Sequence, residues 1–370
     1  MVKCAKGNGE LMNRIMQQPN FSIIIPVYNI DEYIQRAYDS INEQSVKDIE
    51  IIFVNDNSSD DSLKKIKYLA EKDSRIKIIN RNLQDVHGAG ISRNIGFQKS
   101  RGKYIYFMDG DDYLEHNALH FIKSKLDKTN SEVLIFGFNS VSGINGNVTY
   151  SSKQSSNHDF ININEEERAQ IIVDTYFKNS LYVVWNKVYN RKFLVKNEIS
   201  FPNTRTAQDA FFNLIALSQV KKLSLISNPF YYYVSDRVGS NQNIQKSKFE
   251  DEYNLLKKLE DMLQPYKSKR LINKLLMFER IRILKKEVSF VITEHNVKPW
   301  SNLQNKTEFK KVSSELSVYE SILYDKKMKS LFEVLFLKFP NNNSFKMFKI
   351  IRNLKNTSKK MNNRIQGDKK

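Results

Sequence analysis

Four short apolar runs alternate with amphipathic stretches over residues 21–108, and this alternation constrains the chain more than any other feature. The runs are FSIIIPV (21–27), IEIIFV (49–54), RIKIIN (75–80) and KYIYFM (103–108). Each is strand-sized and rich in β-branched and aromatic residues, so each predicts a strand. Between them, DEYIQRAYDSINE (31–43) puts Tyr33, Ile34, Ala37, Tyr38 and Ile41 on one helical face. DDSLKKIKYLAEK (60–72) does the same with Leu63, Ile66, Leu69 and Ala70, and AGISRNIGFQKS (89–100) predicts a third helix. Strands separated by helices of this length mean βαβ units and an α/β fold with a mainly parallel sheet. Ligands of such sheets sit outside the carboxyl ends of the strands, so the residues ending each run are the candidates for chemistry.

Those ends are polar. The first run ends in Pro26-Val27-Tyr28-Asn29, the second in Asn55-Asp56-Asn57-Ser58-Ser59-Asp60-Asp61, and the fourth in Asp109-Gly110-Asp111-Asp112. Asp and Asn also serve turns and helix N-termini, which accounts for Asp60, Asp61 and Asp31. It does not account for three carboxylates within four residues, which repel one another unless a cation or a proton compensates. Hard oxygen ligands of this kind suit Mg²⁺ or Mn²⁺ beside phosphates. Both readings, metal–phosphate binding and turn chemistry, remain open on spacing alone. No G-x-x-x-x-G-K-[ST] occurs, which argues against a P-loop NTPase, and no G-x-G-x-x-G follows the first run, which argues against a dinucleotide enzyme.

The segments SIIIPVYNIDEYIQRAYDSI, IEIIFVNDNSSDDS, GAGISRNIG and KYIYFMDGDDYL, in this order and spacing, resemble the family 2 glycosyltransferases, whose nucleotide-sugar-binding fold is called GT-A. The resemblance covers about the first 115 residues of this chain. It implies that Tyr28, after Pro26, lies against the donor's base and that Asp56 accepts from the base N3–H. It implies that Asp109 faces the ribose and metal side, and that Asp111 ligates a divalent ion on the diphosphate. Arg93 would contact the donor or steady the aspartate loop. Asn57 stands where the family usually has Gly; asparagine tolerates left-handed backbone angles, so the turn is expected to survive.

The second half extends this. SEVLIFGFN (131–139) predicts a strand, the Ser- and Asn-rich stretch after it a loop or loose hairpin, and residues 164–178 a helix with Asn164 as N-cap and Glu167 three residues on. The segment VVWNKVYNRKFLVKNEISFPNTRTAQDAFFNLIAL is similar to the W-x-K-x-Y-x-[RK]-x-F segment and following Glu-Asp pair of capsule- and O-antigen-type members. Trp185, Lys187, Tyr189, Arg191 and Phe193 match the first part, and Gln208-Asp209 stands at the pair. Asp209 therefore matches the family's catalytic base, which takes a proton from the acceptor hydroxyl; a carboxylate stabilising a helix N-terminus is the structural alternative. Trp185, Lys187 and Arg237 are candidate acceptor or diphosphate contacts, although the Tyr run before Arg237 also suits packing.

Five His and one Cys leave no disulfide scaffold and no Cys-rich zinc module. Net charge is +18, of which residues 326–370 carry +11, from thirteen Lys and Arg against two acids. That tail mixes Phe, Leu, Ile and Met with the cations, the composition of an in-plane interfacial helix or of helices packed on the catalytic domain. The expected organisation is an extension at 1–20, a GT-A domain at 21–245 (nucleotide half 21–115, acceptor half 131–245), a helical appendage at 246–325 and the basic tail. The N-terminus lacks the apolar core of a signal peptide. The expected protein is an inverting, metal-dependent, cytoplasmic glycosyltransferase, peripheral on anionic membrane through 326–370. It would move a UDP-hexose or UDP-N-acetylhexosamine sugar to a lipid-linked glycan of capsule, O-antigen or lipooligosaccharide. The rival classes are an inactive glycan-binding version of the fold and a nucleic-acid-binding protein, which the absence of RNP, KH or helix-turn-helix signatures disfavours.

Overall fold

A computed structural model describes residues 18–81, 88–143, 146–152, 157–178, 180–204, 206–235, 249–266, 272–273, 275–284 and 312. The chain divides into two units, Met1–Asn243 and Ile244–Lys370.

In the first unit the four expected strands form: β1 (Phe21–Val27), β2 (Ile49–Asn55), β3 (Ile76–Asn80) and β4 (Tyr104–Phe107). They are separated by α1 (Asp31–Asn42), α2 (Ser62–Lys72) and α3 (Ala89–Lys99). Strand β1 pairs in parallel with both β2 and β4, and β2 with β3. Every residue of β2 is buried and all but one of β1, because helices cover both faces; this is why these runs are continuously apolar rather than alternating. Helix α1 buries Ile34, Ala37, Tyr38 and Ile41, four of the five residues expected on its inner face.

The rest of the sheet is mixed. After β5 (Tyr113–Leu114) and α4 (Ala118–Thr129) come two long strands, β6 (Val133–Val141) and, at the end of the unit, β10 (Lys222–Val234), which run parallel to each other. Each shares its other edge between two short antiparallel strands. On β6 these are β9 (Lys187–Asn190) and β7 (Val148–Ser152); on β10 they are β8 (His158–Ile161) and β5. The order β3-β2-β1-β4-β9-β6-β10-β5 thus inserts the antiparallel β9 between two parallel groups. The Ser- and Asn-rich stretch is therefore not a hairpin paired with itself: β7 and β8 join different long strands, because β6 and β10 offer free edges beyond the reach of β9 and β5.

Helix α5 (Glu165–Phe177) starts in the expected box: Asn164 Oδ1 accepts from Glu167 N–H and Glu167 Oε2 accepts from Asn164 N–H, both at 2.9 Å. Short helix α6 (Arg191–Lys196) and helix α7 (Gln208–Gln219) follow. The core around Phe107 is aromatic, with Tyr189, Phe201 and Phe212 all within about 6 Å of its ring.

In the second unit the described residues include helix α8 (Phe249–Leu263), which ends before Pro265, and helical backbone at 275–284. Among the described residues no helix is long and apolar enough to cross a membrane. The tail at 326–370 lies outside the described residues.

Candidate active site

The carboxyl ends of β1, β2 and β4 lie side by side, because β1 is the central strand of the three. Pro26 is on β1 opposite Val54, Tyr28 follows it with 58% of its surface exposed, and Asp56 follows β2, its N–H on Val27 O at 2.8 Å. Asn57 sits at φ 63°, so asparagine does adopt the left-handed turn expected of it. The Asp56 carboxylate is buried and held on both oxygens, by Arg81 Nη1 at 2.5 Å and by Gly88 N–H at 2.8 Å. Arg81 was not among the expected site residues. Its position is a signal in itself, because it directly follows β3 and so stands at the carboxyl end of a strand.

The β4 end carries the acidic loop. Gly110 packs closely there: a Cβ would overlap Ile30 Cδ1 and lie 3.1 Å from Ile25 Cγ2, so a larger residue would push the Ile30 side chain aside. Carboxylate oxygens of Asp109, Asp111 and Asp112 lie within 4.8 Å of one another. The three are not equivalent. Asp112 is 1% exposed; its Oδ2 accepts from the Tyr231 hydroxyl at 2.7 Å and its Oδ1 from Val234 N–H at 2.8 Å. Burial, then the charges of Asp111 and Asp109, push its pKa well up. Tyr231 Oη also accepts Asp109 N–H at 3.2 Å, so β10 braces the loop from behind. From the front, Arg36 of α1 donates to Asp111 O at 2.8 Å and lies 4.7 Å over the Tyr113 ring. Asp109 and Asp111 are the half-exposed members. Converging carboxylates with two accessible members form the oxygen donor set that a divalent ion takes, so the loop fits Mg²⁺ or Mn²⁺. Asp112 was legible in the acidic run, whereas nothing in the sequence distinguished Tyr231 from its tyrosine neighbours.

Arg93, on α3, joins the two halves of the unit. Its guanidinium is 5% exposed and donates to Asp109 Oδ1 at 2.6 Å through Nη2 and to Asp209 Oδ1 at 2.7 Å through Nη1. Burial alone would lower its pKa, but the Asp209 and Asp109 charges hold it above the ordinary value. Asp209 is the second residue of α7, with its side chain one-fifth exposed. Burial raises its pKa, opposed by Arg93 and aided by Asp109. A carboxylate with a raised pKa is a stronger base when ionised.

Two expected contacts turn out differently. Lys187 is fully buried, and its ammonium donates to Ser180 O, Ser180 Oγ, Val183 O and Asn186 Oδ1 at 2.6–3.1 Å. Burial pushes its pKa well down. All its hydrogens serve the 180–187 turn, so it has none to offer a diphosphate. Trp185 is 4% exposed, stacked on Tyr231 at 4.5 Å and Tyr233 at 5.5 Å and edge-on to Phe138. It packs behind the acidic loop rather than facing an acceptor. Arg237 lies outside the described residues.

The Glycosyl transferase family 2 profile matches residues 22–194. The chain is 30% identical over 216 residues to an uncharacterized glycosyltransferase, EpsJ, of Bacillus subtilis, covering 58% of this chain and 61% of that one. It is 30% identical over 228 residues to a poly(ribitol-phosphate) β-glucosyltransferase of Bacillus spizizenii, covering 60% of this chain and 33% of that one. The matches thus span under two thirds of the length of these relatives. Staphylococcus aureus TarS 1–349, solved in complex with UDP-GlcNAc, superposes with a TM-score of 0.61 at 20% identity, covering 86% of this chain and 90% of that one. The fold is that of the GT-A enzymes.

Proposed function

We propose, from the premise that residues 22–194 belong to the family 2 glycosyltransferases, that this chain transfers a sugar from a nucleotide-sugar to a glycan hydroxyl with inversion at the anomeric carbon. The observation that carries the reading is the Asp109–Arg93–Asp209 bridge, which sets a carboxylate of the acceptor half beside the acidic loop of the nucleotide half. Tyr28 offers an exposed ring to a base, and Asp56, fixed by Arg81 and Gly88, accepts from its N–H. Asp109 and Asp111 would hold the divalent ion, while Asp112, engaged by Tyr231 and Val234, holds the loop. When bound, the ion neutralises charge on the departing diphosphate.

Asp209 takes the proton of the acceptor hydroxyl as its oxygen attacks the anomeric carbon, and the bond to the nucleoside diphosphate breaks. Arg93 keeps the Asp209 carboxylate oriented and disperses the charge that Asp109 and Asp209 would otherwise set against each other. A UDP-hexose or UDP-N-acetylhexosamine donor is supported by TarS, solved with UDP-GlcNAc. A surface-polysaccharide acceptor, of the capsule, O-antigen or teichoic-acid type, is supported by the poly(ribitol-phosphate) relatives. We place the enzyme in the cytoplasm, with a lipid-linked acceptor and with residues 326–370 resting on anionic membrane. UDP release from UDP-glucose and UDP-N-acetylglucosamine, with water as acceptor, tests the donor reading. Release in Mn²⁺ that stops in EDTA is expected; turnover unaffected by EDTA would count against the metal.

A further inference from the structure

We infer that Gln208 is a positioning residue for the transfer: its amide fastens the turn that presents Asp209 to the first turn of α3, and it needs both its oxygen and its NH₂ to do so. The inference rests on the reading of Asp209 as the base. Helix α3 begins at a glycine N-cap, Gly88, which has no side chain to cap it. The N–H of Gly90, the second helical residue, is one of the four that no intrahelical carbonyl can accept. Gln208 Oε1 accepts it at 2.9 Å from the other half of the unit. Gly90 makes room for this, because a Cβ there would lie 2.6 Å from that same oxygen.

The other end of the amide, Nε2, donates to Thr204 O and folds the side chain back over the entry to α7. That entry passes through Ala207 at φ 58°, a left-handed conformation that alanine avoids. Two successive residues of α7 therefore grip two residues of α3 one turn apart, Gln208 on Gly90 and Asp209 on Arg93. The same α3 entry also holds Asp56 through Gly88 N–H. The glutamate that family resemblance places at 208 could accept from Gly90 but could not donate to Thr204 O. It would also add a negative charge next to Asp209, which already faces Asp109.

The test measures UDP release over a range of UDP-glucose and UDP-N-acetylglucosamine concentrations up to saturation, together with UDP affinity by calorimetry, in wild type, Gln208→Glu, Gln208→Ala and Asp209→Asn. A small displacement of a reacting group costs up to about 100-fold in rate. The expected result is kcat lowered roughly 10-fold in Gln208→Glu and about 10- to 100-fold in Gln208→Ala, with KM and UDP affinity within about 2-fold. Wild-type kcat in Gln208→Glu overturns the need for the amide. A loss confined to KM and UDP affinity overturns the assignment by moving Gln208 into the donor pocket. If Gln208→Ala does not fold, Gln208→Glu decides, because it keeps the oxygen on Gly90 N–H. Full activity of Asp209→Asn would remove the base reading itself; an inactive Asp209→Asn beside a fully active Gln208→Glu removes only the positioning role.

Discussion

The two halves of the first unit place their functional side chains by different physical means. In residues 21–115 all of them but Arg36 and Arg93, which lie on helices, are at or just beyond the carboxyl end of a parallel strand, where the βαβ topology gathers them along one crevice. In residues 131–235 they come from the first turn of a helix, Asp209, and from the body of a strand, Tyr231, whose neighbours are mixed in direction. The first arrangement follows from chain order. The second depends on packing between elements distant in sequence, with Arg93 as the tie. Loss of Asp209 should therefore leave donor binding intact, whereas losses that reach the acidic loop, from either half, should disturb it.

The largest stability effect is expected at the tie itself. Arg93→Met leaves Asp109 and Asp209 facing each other without the buried cation between them, and breaking such a pair costs about 3–5 kcal/mol. The midpoint of urea unfolding at neutral pH measures it; an unchanged midpoint would mean that the halves do not depend on the bridge. A smaller effect, confined to the nucleotide half, is expected at Glu50. This carboxylate is 3% exposed and accepts from Ser22 Oγ, Lys77 Nζ and the N–H groups of Arg101 and Gly102. Glu50→Gln should cost about 1–3 kcal/mol and leave UDP affinity unchanged, because Glu50 is at the far end of the sheet.

Glu50 also carries a pH dependence. Burial would raise its pKa, but hydrogen bonds from Lys77, Ser22 and Arg101 N–H hold it below the ordinary value. A depressed carboxylate stabilises the fold above its unfolded pKa, about 4.3, and that stability is lost as pH falls through the folded value. The stability gap between wild type and Glu50→Gln should therefore narrow below about pH 4; a gap independent of pH would contradict the assignment.

Tyr231→Phe sharpens the comparison from the acceptor side. It removes one of the two donors on the buried Asp112 carboxylate and the acceptor of Asp109 N–H, at a cost of about 1–3 kcal/mol. It should also weaken the Mn²⁺ dependence of UDP binding, which calorimetry with and without Mn²⁺ would show. The smallest change is expected at Asn57→Gly. Asparagine already sits in the left-handed region, so thermal unfolding should report a shift of less than about 0.5 kcal/mol in either direction.

The same contrast explains what the sequence could and could not show. Strands β1 to β4, the helices between them and the residues Tyr28, Asp56, Asp109 and Asp111 are local patterns: a buried run, then a polar turn. The Asn164–Glu167 box is equally local. The resemblance offers the aspartate loop as one partner of Arg93, but its second partner, Asp209, could not be read, because it is 116 residues away. Lys187 and Trp185 look like ligand-binding residues by type, yet their burial is decided by how β9 inserts between β4 and β6. Gln208 reads as a lost charge in the sequence; only its two hydrogen bonds show an amide in use.

UDP affinity and UDP release measured together on Asp209→Asn test most directly the claim that donor binding and proton removal belong to separate halves. The account predicts release slowed by roughly 10²–10⁴, with UDP affinity in Mn²⁺ within about 2-fold of wild type, because the donor is assigned to Tyr28, Asp56, Asp109 and Asp111, and Asp209 reaches Asp109 only through Arg93. Loss of UDP affinity in step with the rate would contradict it, by making Asp209 part of the donor site.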